Sequence, residues 1–401
     1  MRRSVLLAAT AVIALVATAC SSSGGDSPAT SKPTGQVSAS APGDTSSSGS
    51  GGSSGGSDPL AAAKADVAKF ADAVSTYPKV APLSGVSGLK GKTVWYVPIG
   101  SVPILTSFGV GITAAMKAAG IKTHICDGKF VPTSMASCLN EAASQGADGV
   151  IAGYIDYKLI PTAYDNLVAH HVPVLIAGEA PPEGKTSSPE LAFYDSTEIG
   201  NQAQKLDMEA VMADSGGKAK ILFLGVTDSA TTSANAAYSK DFIAKNCPGC
   251  SFKEVDYNTA SLTKVASQVS AALISNPDTT YVVNQLDSGS SATISGIQTA
   301  GFTNKVKLAS VSGNLDALQR VKAGGLQVVD IGYSAIFLGW QYADGILRQL
   351  LGKVPTVGEG VLRVFTKSNV GDLTLTPEAY ATNAWYGSDA YKQTFTSAWG
   401  V

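Results

Sequence analysis

Short β-rich runs alternate with helical stretches through most of this chain, spaced roughly 25 to 30 residues apart, and that rhythm leaves few folds open. The first runs fall at Thr93–Val97, Thr123–Cys126, Gly149–Ala152 and Val174–Ala177, with helical stretches from Pro103 to Ala119, Ser134 to Ser144 and Pro161 to His170. The rhythm then repeats. Runs at Lys220–Gly225, Ser251–Val255, Thr280–Asn284, Lys307–Val311 and Gln327–Ile331 enclose helices near Ser233–Lys245, Leu262–Ile274, Ser291–Ala300 and Leu315–Lys322. Strand, helix, strand is the unit of a parallel sheet covered by helices, so two successive sets predict an α/β chain of two doubly wound parallel-sheet lobes. Length agrees, because the roughly 340 residues from position 58 onward exceed what one hydrophobic core usually holds. With 44% hydrophobic residues and a net charge of −2, the composition is that of packed globular matter and lacks the basic surplus of a nucleic-acid footprint.

The N-terminus reads differently. Met1-Arg2-Arg3 precedes an apolar run from Val5 to Val16, then the small residues Ala17-Thr18-Ala19 and Cys20. That is the charged, apolar and small-residue order of a secretory signal, and the run is roughly half the ~20 residues of a spanning helix. The triplet ending at Cys20 before Ser21-Ser22-Ser23 resembles the bacterial lipobox, whose cysteine carries the lipid and begins the mature chain; the alternative is an ordinary signal with an incidental cysteine. Residues 21–57 are almost entirely Ser, Gly, Thr, Pro and Ala, too poor in apolar surface to offset ordering entropy. We expect a lipoprotein signal peptide over 1–20 and a disordered Ser/Gly linker over 21–57, with a reach on the order of 30 to 35 Å. Gly51-Gly52-Ser53-Ser54-Gly55 matches a serine-hydrolase pattern, but a linker supplies neither the strand-to-helix elbow nor the histidine.

Asp58-Pro59 opens a helix with apolar positions at Leu60, Ala63, Val67, Phe70 and Val74, expected to end near Tyr77-Pro78 and to pack on the first lobe. In the tail from Val370 to Val401, Trp385, Tyr386, Tyr391, Phe395 and Trp399 are expected to pack on the second lobe. In an oxidising compartment the four cysteines besides Cys20 suggest two disulfides: Cys126 with Cys138, and Cys247 with Cys250 across a short turn. A redox role for Cys247-Pro248-Gly249-Cys250 is disfavoured because the motif follows a helix instead of opening one. Zinc is disfavoured because no second pair offers ligands. His124, His170 and His171 form no metal or triad pattern, and Pro98-Ile99-Gly100-Ser101-Val102-Pro103 stands where a phosphate-binding glycine loop would follow the first strand. No enzymatic activity, cofactor or metal is expected.

Several segments in order carry a resemblance: Val102-Pro103-Ile104-Leu105, Gln145-Gly146-Ala147-Asp148-Gly149-Val150-Ile151, His171-Val172-Pro173-Val174, Gly296-Ile297-Gln298-Thr299-Ala300-Gly301 and Val321-Lys322-Ala323-Gly324. Across Gly88 to Thr366 the chain resembles the type I periplasmic binding proteins of the ribose- and xylose-binding group. The resemblance implies two Rossmann-like lobes joined by a three-strand hinge that closes on a small molecule like a Venus flytrap. It further implies a monomer that hands its ligand to an ABC permease, lipid-anchored through Cys20 on the extracytoplasmic face of a Gram-positive, actinobacterial-type cell membrane. By position, the N-terminal lobe would hold 58–194 plus 333–365 and the C-terminal lobe 195–332 plus 366–401. Crossings would fall at Tyr194-Asp195, Gly332-Tyr333 and Phe365-Thr366, with a helix cap as the alternative role for Asp195.

At the family's sugar-contacting positions this sequence holds Val102, Gly178-Glu179, Ala236, Leu286, Ser312 and Tyr333, and two aromatic wall positions become Ile104 and Leu105. Buried hydroxyls left unpaired cost about 1 to 3 kcal/mol each. Either the alignment slips locally or the ligand is less hydroxylated than a sugar. The candidate site is an apolar wall of Ile99, Ile104, Leu105 and Phe108 with Tyr154, Asp156 and Glu179 from the first lobe, answered by Thr231, Asn235, Asp287, Asn314 and Tyr333 from the second. Core packing for Phe108, a cap for Asp287 and a turn for Asn314 are the structural alternatives. Two other classes stay open: a sensor that presents its closed form to a membrane signalling receptor, and an exported enzyme on a two-lobed scaffold.

Overall fold

The computed structural model describes residues 58–401; the leader, Cys20 and the Ser/Gly stretch lie outside the described residues. Asp58 accepts a hydrogen bond from Leu60 N at 3.1 Å and starts helix α1 (Pro59–Lys69), with Pro59 in the first turn where its missing N–H costs nothing. There follow β1 (Thr93–Pro98), α2 (Pro103–Ala118), β2 (Lys122–Ile125), α3 (Pro132–Ser144), β3 (Gly149–Gly153), α4 (Pro161–Ala169), β4 (Val174–Ala177) and β5 (Leu191–Tyr194). Proline opens α2, α3 and α4 alike, each with preset backbone geometry. The second set runs α5 (Thr197–Ser215), β6 (Lys220–Val226), α6 (Ala230–Asn246), β7 (Ser251–Tyr257), α7 (Leu262–Ser275), β8 (Tyr281–Asn284), α8 (Ser290–Thr299), β9 (Lys307–Ser312), α9 (Leu315–Ala323) and β10 (Gln327–Tyr333). Last come α10 (Ala335–Leu350), β11 (Leu362–Thr366), α11 (Pro377–Tyr380) and α12 (Ala390–Trp399).

Two sheets result, one ordered β2-β1-β3-β4-β5 and the other β11-β10-β9-β8-β6-β7. All pairings are parallel except β10 with β11. The two lobes therefore share one winding order, reversing beside β1 in the first and beside β6 in the second, and each reversal opens a crevice at the strands' carboxyl ends.

Four expectations about lobe membership are corrected. Helix α1 stops at Lys69 and packs on the second lobe, where Leu60, Ala63 and Val67 join the apolar cluster of α5 and Lys205 bridges Asp66 to Glu209. An apolar stripe says which face a helix buries, not against what. Strand β11 pairs antiparallel with β10, so 362–365 belong to the second sheet and not to the first lobe. The tail divides between the lobes: Trp385, whose carbonyl accepts from Arg363, and Tyr386, edge-on to Phe365 at 5.6 Å, pack on the second lobe as expected, whereas Trp399 stacks on Trp340 of α10 at 5.6 Å and Tyr391 meets Phe337 edge-on at 5.4 Å on the first. Helix α10 is buried on nearly every side, so it needs that cover beyond what α2 and the sheet supply. Finally, Thr366 ends β11 inside the second sheet; the third passage between lobes lies upstream, in 351–361, and the tail makes a further one.

Cys126 and Cys138 are disulfide-bonded with Cα atoms 5.8 Å apart, joining the end of β2 to α3; Cys247 and Cys250 are bonded across the turn after α6.

Candidate functional site in the cleft between the lobes

The carboxyl ends of β1, β3, β6, β8, β9 and β10 converge on one cavity of about 90 Å³, walled by both lobes. Its first-lobe side is apolar: Ile99 and Val102 follow β1, Ile104, Leu105 and Phe108 lie in the opening turns of α2, and Tyr154 follows β3. Phe108 stacks on Tyr154 with centroids 5.7 Å apart and on Tyr333, from the end of β10, at 6.3 Å. Tyr154 adopts φ 59° directly above Gly178, where an added Cβ would lie 2.6 Å from the tyrosine ring. Burial pushes the Tyr154 and Tyr333 hydroxyls well above their ordinary range, so both stay neutral.

Phe130 completes this wall from the loop between β2 and α3, which the Cys126–Cys138 bond closes. Lys129 and Phe130 both lie in the left-handed region, at φ 56° and 55°, and the Phe130 ring covers Gly100 so closely that no Cβ would fit there. Sequence reading missed Phe130, because a loop residue carries no periodic signal. It also passed over Gln285, Gln204 and Leu338, which line the cavity from β8's end, α5 and α10.

On the second-lobe side the cavity meets Thr231 and Asn235 of α6, Asn314 after β9, and Tyr333. The capping box of Ser229 and Thr232 fixes the start of α6 and so aims Thr231 at the cleft. Three expected site residues, Asp156, Asp287 and Glu179, do not line the cavity. Asp156 turns away to cap the single helical turn at Tyr157–Leu159, accepting from Lys158 N at 2.8 Å. Asp287 is wholly inside the lobe, accepting from Ser310 Oγ at 2.5 Å and Asn314 N at 2.8 Å beside Asp330. Burial raises both carboxyls, and the charge of Asp287 raises Asp330 further. Asp287 thus shapes the turn that presents Asn314. At the first crossing, Tyr194 donates to Gln341 Oε1 at 3.1 Å and Asp195 accepts from Thr197 N at 2.9 Å, while Gly332 sits within β10 opposite Arg363.

Glu179 stands just behind the wall and joins the lobes. Its side chain is 1% exposed, Oε2 accepts from Thr231 N at 3.3 Å across the cleft, and Oε1 has no partner. Burial pushes its carboxyl up to about 7, against the pull of Ser229 and Thr231. The folded protein therefore holds a proton that an unfolded glutamate releases near its ordinary 4.5, and stability falls as pH rises through that window. Glu179→Gln is expected to raise Tm at pH 8 and to leave it nearly unchanged at pH 4.5. Equal Tm changes at both pH values would show that the carboxyl is solvated.

None of the residues lining the cavity is Lys, Arg or His. Among the described residues, no group of His, Cys, Asp and Glu is placed to hold a metal ion, and no helix is long and apolar enough to cross a membrane.

The sequence pattern of a family described as a periplasmic binding protein domain matches residues 95–347. No curated protein matches the chain. A sugar ABC transporter structure from Yersinia enterocolitica subsp. enterocolitica is similar, with TM-score 0.60 and 19% identity over 80% of this chain and 98% of its own. So is a 5-methylthioribose transporter solute-binding protein from Thermotoga lettingae in complex with 5-methylthioribose, with TM-score 0.61, 14% identity, and 77% and 99% covered. A solute-binding protein from Burkholderia graminis in complex with D-arabinose gives TM-score 0.61 and 18% identity over 71% and 98%. At these identities the likeness is one of fold.

Proposed function

The chain belongs to the periplasmic binding protein domain family, and from that premise we propose that it is an extracytoplasmic solute-binding lipoprotein of an ABC importer, attached through Cys20. The observation that carries the reading is the cavity at which the carboxyl-end crevices of two like-wound lobes meet. The chain passes between lobes at 195–196, after Tyr333, and within 351–361; rotation at such short connections opens and closes the cleft. Tyr194-Asp195 and Gly332-Tyr333 are the hinge positions in this reading. Structures of similar fold are described with 5-methylthioribose and D-arabinose bound. The apolar wall here, with Ile104 and Leu105 facing the cavity, supports a solute less polar than a sugar.

A receptor that closes on its solute is stabilised by about 2.7 kcal/mol at a hundredfold excess over Kd. Thermal shift across sugars, polyols, nucleosides, amino acids and cyclic alcohols is expected to single out one solute class, with a smaller radius of gyration by X-ray scattering in its presence. A Tm and a scattering curve indifferent to every class would end the receptor reading. For the anchor, Cys20→Ser is expected to move the protein from the membrane fraction to the medium.

A further inference from the structure

The cavity offers fewer hydrogen bonds than its polar lining suggests. The Asn235 amide donates to Thr197 O at 2.9 Å and Asn201 Oδ1 at 2.8 Å. Gln285 accepts from Val226 N and donates to Thr232 O, both at 2.6 Å. Gln204 donates to Gln285 O at 3.0 Å and accepts from Ser239 Oγ at 3.2 Å. Asn314 Oδ1 accepts from Tyr380 OH at 2.9 Å, and Thr259 N and its hydroxyl hold the Asp228 carboxylate. These groups build the wall, and their capacity is largely used before any solute arrives.

Two fully enclosed hydroxyls stand out from these. Thr231 Oγ1 in the first turn of α6 and Ser312 Oγ at the end of β9 line the cavity on residues 3% and 2% exposed, and neither makes a well-formed hydrogen bond. Thr231 Oγ1 lies near the Glu179 carboxyl and Ser312 Oγ near the Tyr333 hydroxyl, so each marks one open polar point. Buried polar groups are almost always partnered, and a site built to bond a hydroxyl discriminates strongly against ligands that leave it empty.

We propose that the solute is an uncharged, ring-sized molecule with an apolar body and two hydrogen-bonding oxygens, in chemical class a cyclic diol or hydroxy-ether. The inference rests on the reading of this cleft as a solute site. The apolar body lies against Phe108, Ile104 and Leu105, and one oxygen reaches each of Thr231 and Ser312. A pentose or hexose would press several of its hydroxyls against the apolar first-lobe wall of Ile99, Ile104, Leu105 and Phe108, where no partner meets them. A carboxylate or phosphate would be buried in a cavity without a basic side chain to meet it. The size agrees, since about 90 Å³ is of the order of the roughly 150 Å³ cavity that admits a benzene ring.

The test is calorimetric titration of the full chain with a ring-matched series: cyclohexanol, the three cyclohexanediol isomers, myo-inositol, D-arabinose, benzoate and benzylamine. One cyclohexanediol is expected to bind about tenfold tighter than cyclohexanol, the worth of one added hydrogen bond, with the remaining compounds weaker still. Thr231→Val and Ser312→Ala are each expected to bring the diol's affinity down to that of cyclohexanol measured in the same variant, while leaving the Tm of the free protein in place. Tightest binding by myo-inositol, D-arabinose, benzoate or benzylamine would overturn this inference and keep the receptor reading. Failure of every compound here, together with silence across the broader thermal-shift panel, would overturn both.

Discussion

Gly339→Leu is expected to cost about 3 kcal/mol or more, as overpacking against immovable atoms does, and to lower Tm by roughly 4 °C or more for a chain of this length. Helices α2 and α10 cross at Gly111 and Gly339, where a Cβ on Gly339 would lie 2.5 Å from Phe108 O and 2.9 Å from Gly111 Cα. A Cβ on Gly111 would in turn run into Ile336 O. Both obstacles are backbone, so relief requires one helix to shift. Phe108 would move with α2, and its ring is stacked on Tyr154 and Tyr333 in the cleft wall. Solute affinity should therefore fall along with stability. Gly339→Ala is the informative control, because in an isolated helix alanine gains about 1 kcal/mol over glycine. A Tm lowered by Gly339→Ala means the clash exceeds that gain; a Tm raised by it would show that the helices do not meet here.

The same helix marks where the sequence stopped being readable. Strand runs such as Val174–Ala177 and Lys220–Val226 are short apolar stretches bounded by polar or turn residues, and their type follows from that punctuation. In Ala335–Leu350 the polar positions Gln341, Asp344 and Arg348 recur at helical spacing but are themselves buried under other parts of the chain, so the stripe that would ordinarily mark an outer face marks none here. Residues Leu191–Tyr194 were legible as a crossing but not as a strand, because no helix separates them from Val174–Ala177 to mark another strand-helix unit. At the site, the doubly wound order places the crevice at the strands' carboxyl ends, which is why Ile99, Leu105, Tyr154, Thr231 and Asn314 were found among the cavity's walls. Direction within a turn is not written in residue type. Asp156 and Asp287 sit next to cavity-lining residues yet satisfy backbone donors facing the other way. Phe130 depends on two consecutive left-handed residues, a conformation that neither lysine nor phenylalanine announces.

Asp344→Ala is expected to destabilise the protein by about 3 to 5 kcal/mol, because it strands a buried guanidinium. Asp344 and Arg348, 8% and 7% exposed, form a 2.7 Å ion pair one turn apart on α10. Each then reaches a distant part of the chain: Asp344 Oδ1 accepts from Trp399 Nε1 at 2.8 Å, and Arg348 donates to Ala81 O at 2.7 Å. The pair so fastens the segment before β1 and the C-terminal helix to one turn of α10. Arg348→Met should cost a similar amount by stranding the carboxylate, whereas the double change Asp344→Leu with Arg348→Met should recover most of the loss, since apolar packing replaces a buried pair at little cost. Urea unfolding of the three variants measures this directly. Single losses below about 1 kcal/mol would place the pair in solvent. Because Gln341, one turn earlier, accepts from Tyr194 at the first crossing, amide exchange in the singles should rise in α12 and also at 194–196. Exchange confined to α12 would mean that the clamp stabilises the tail without reaching the crossing.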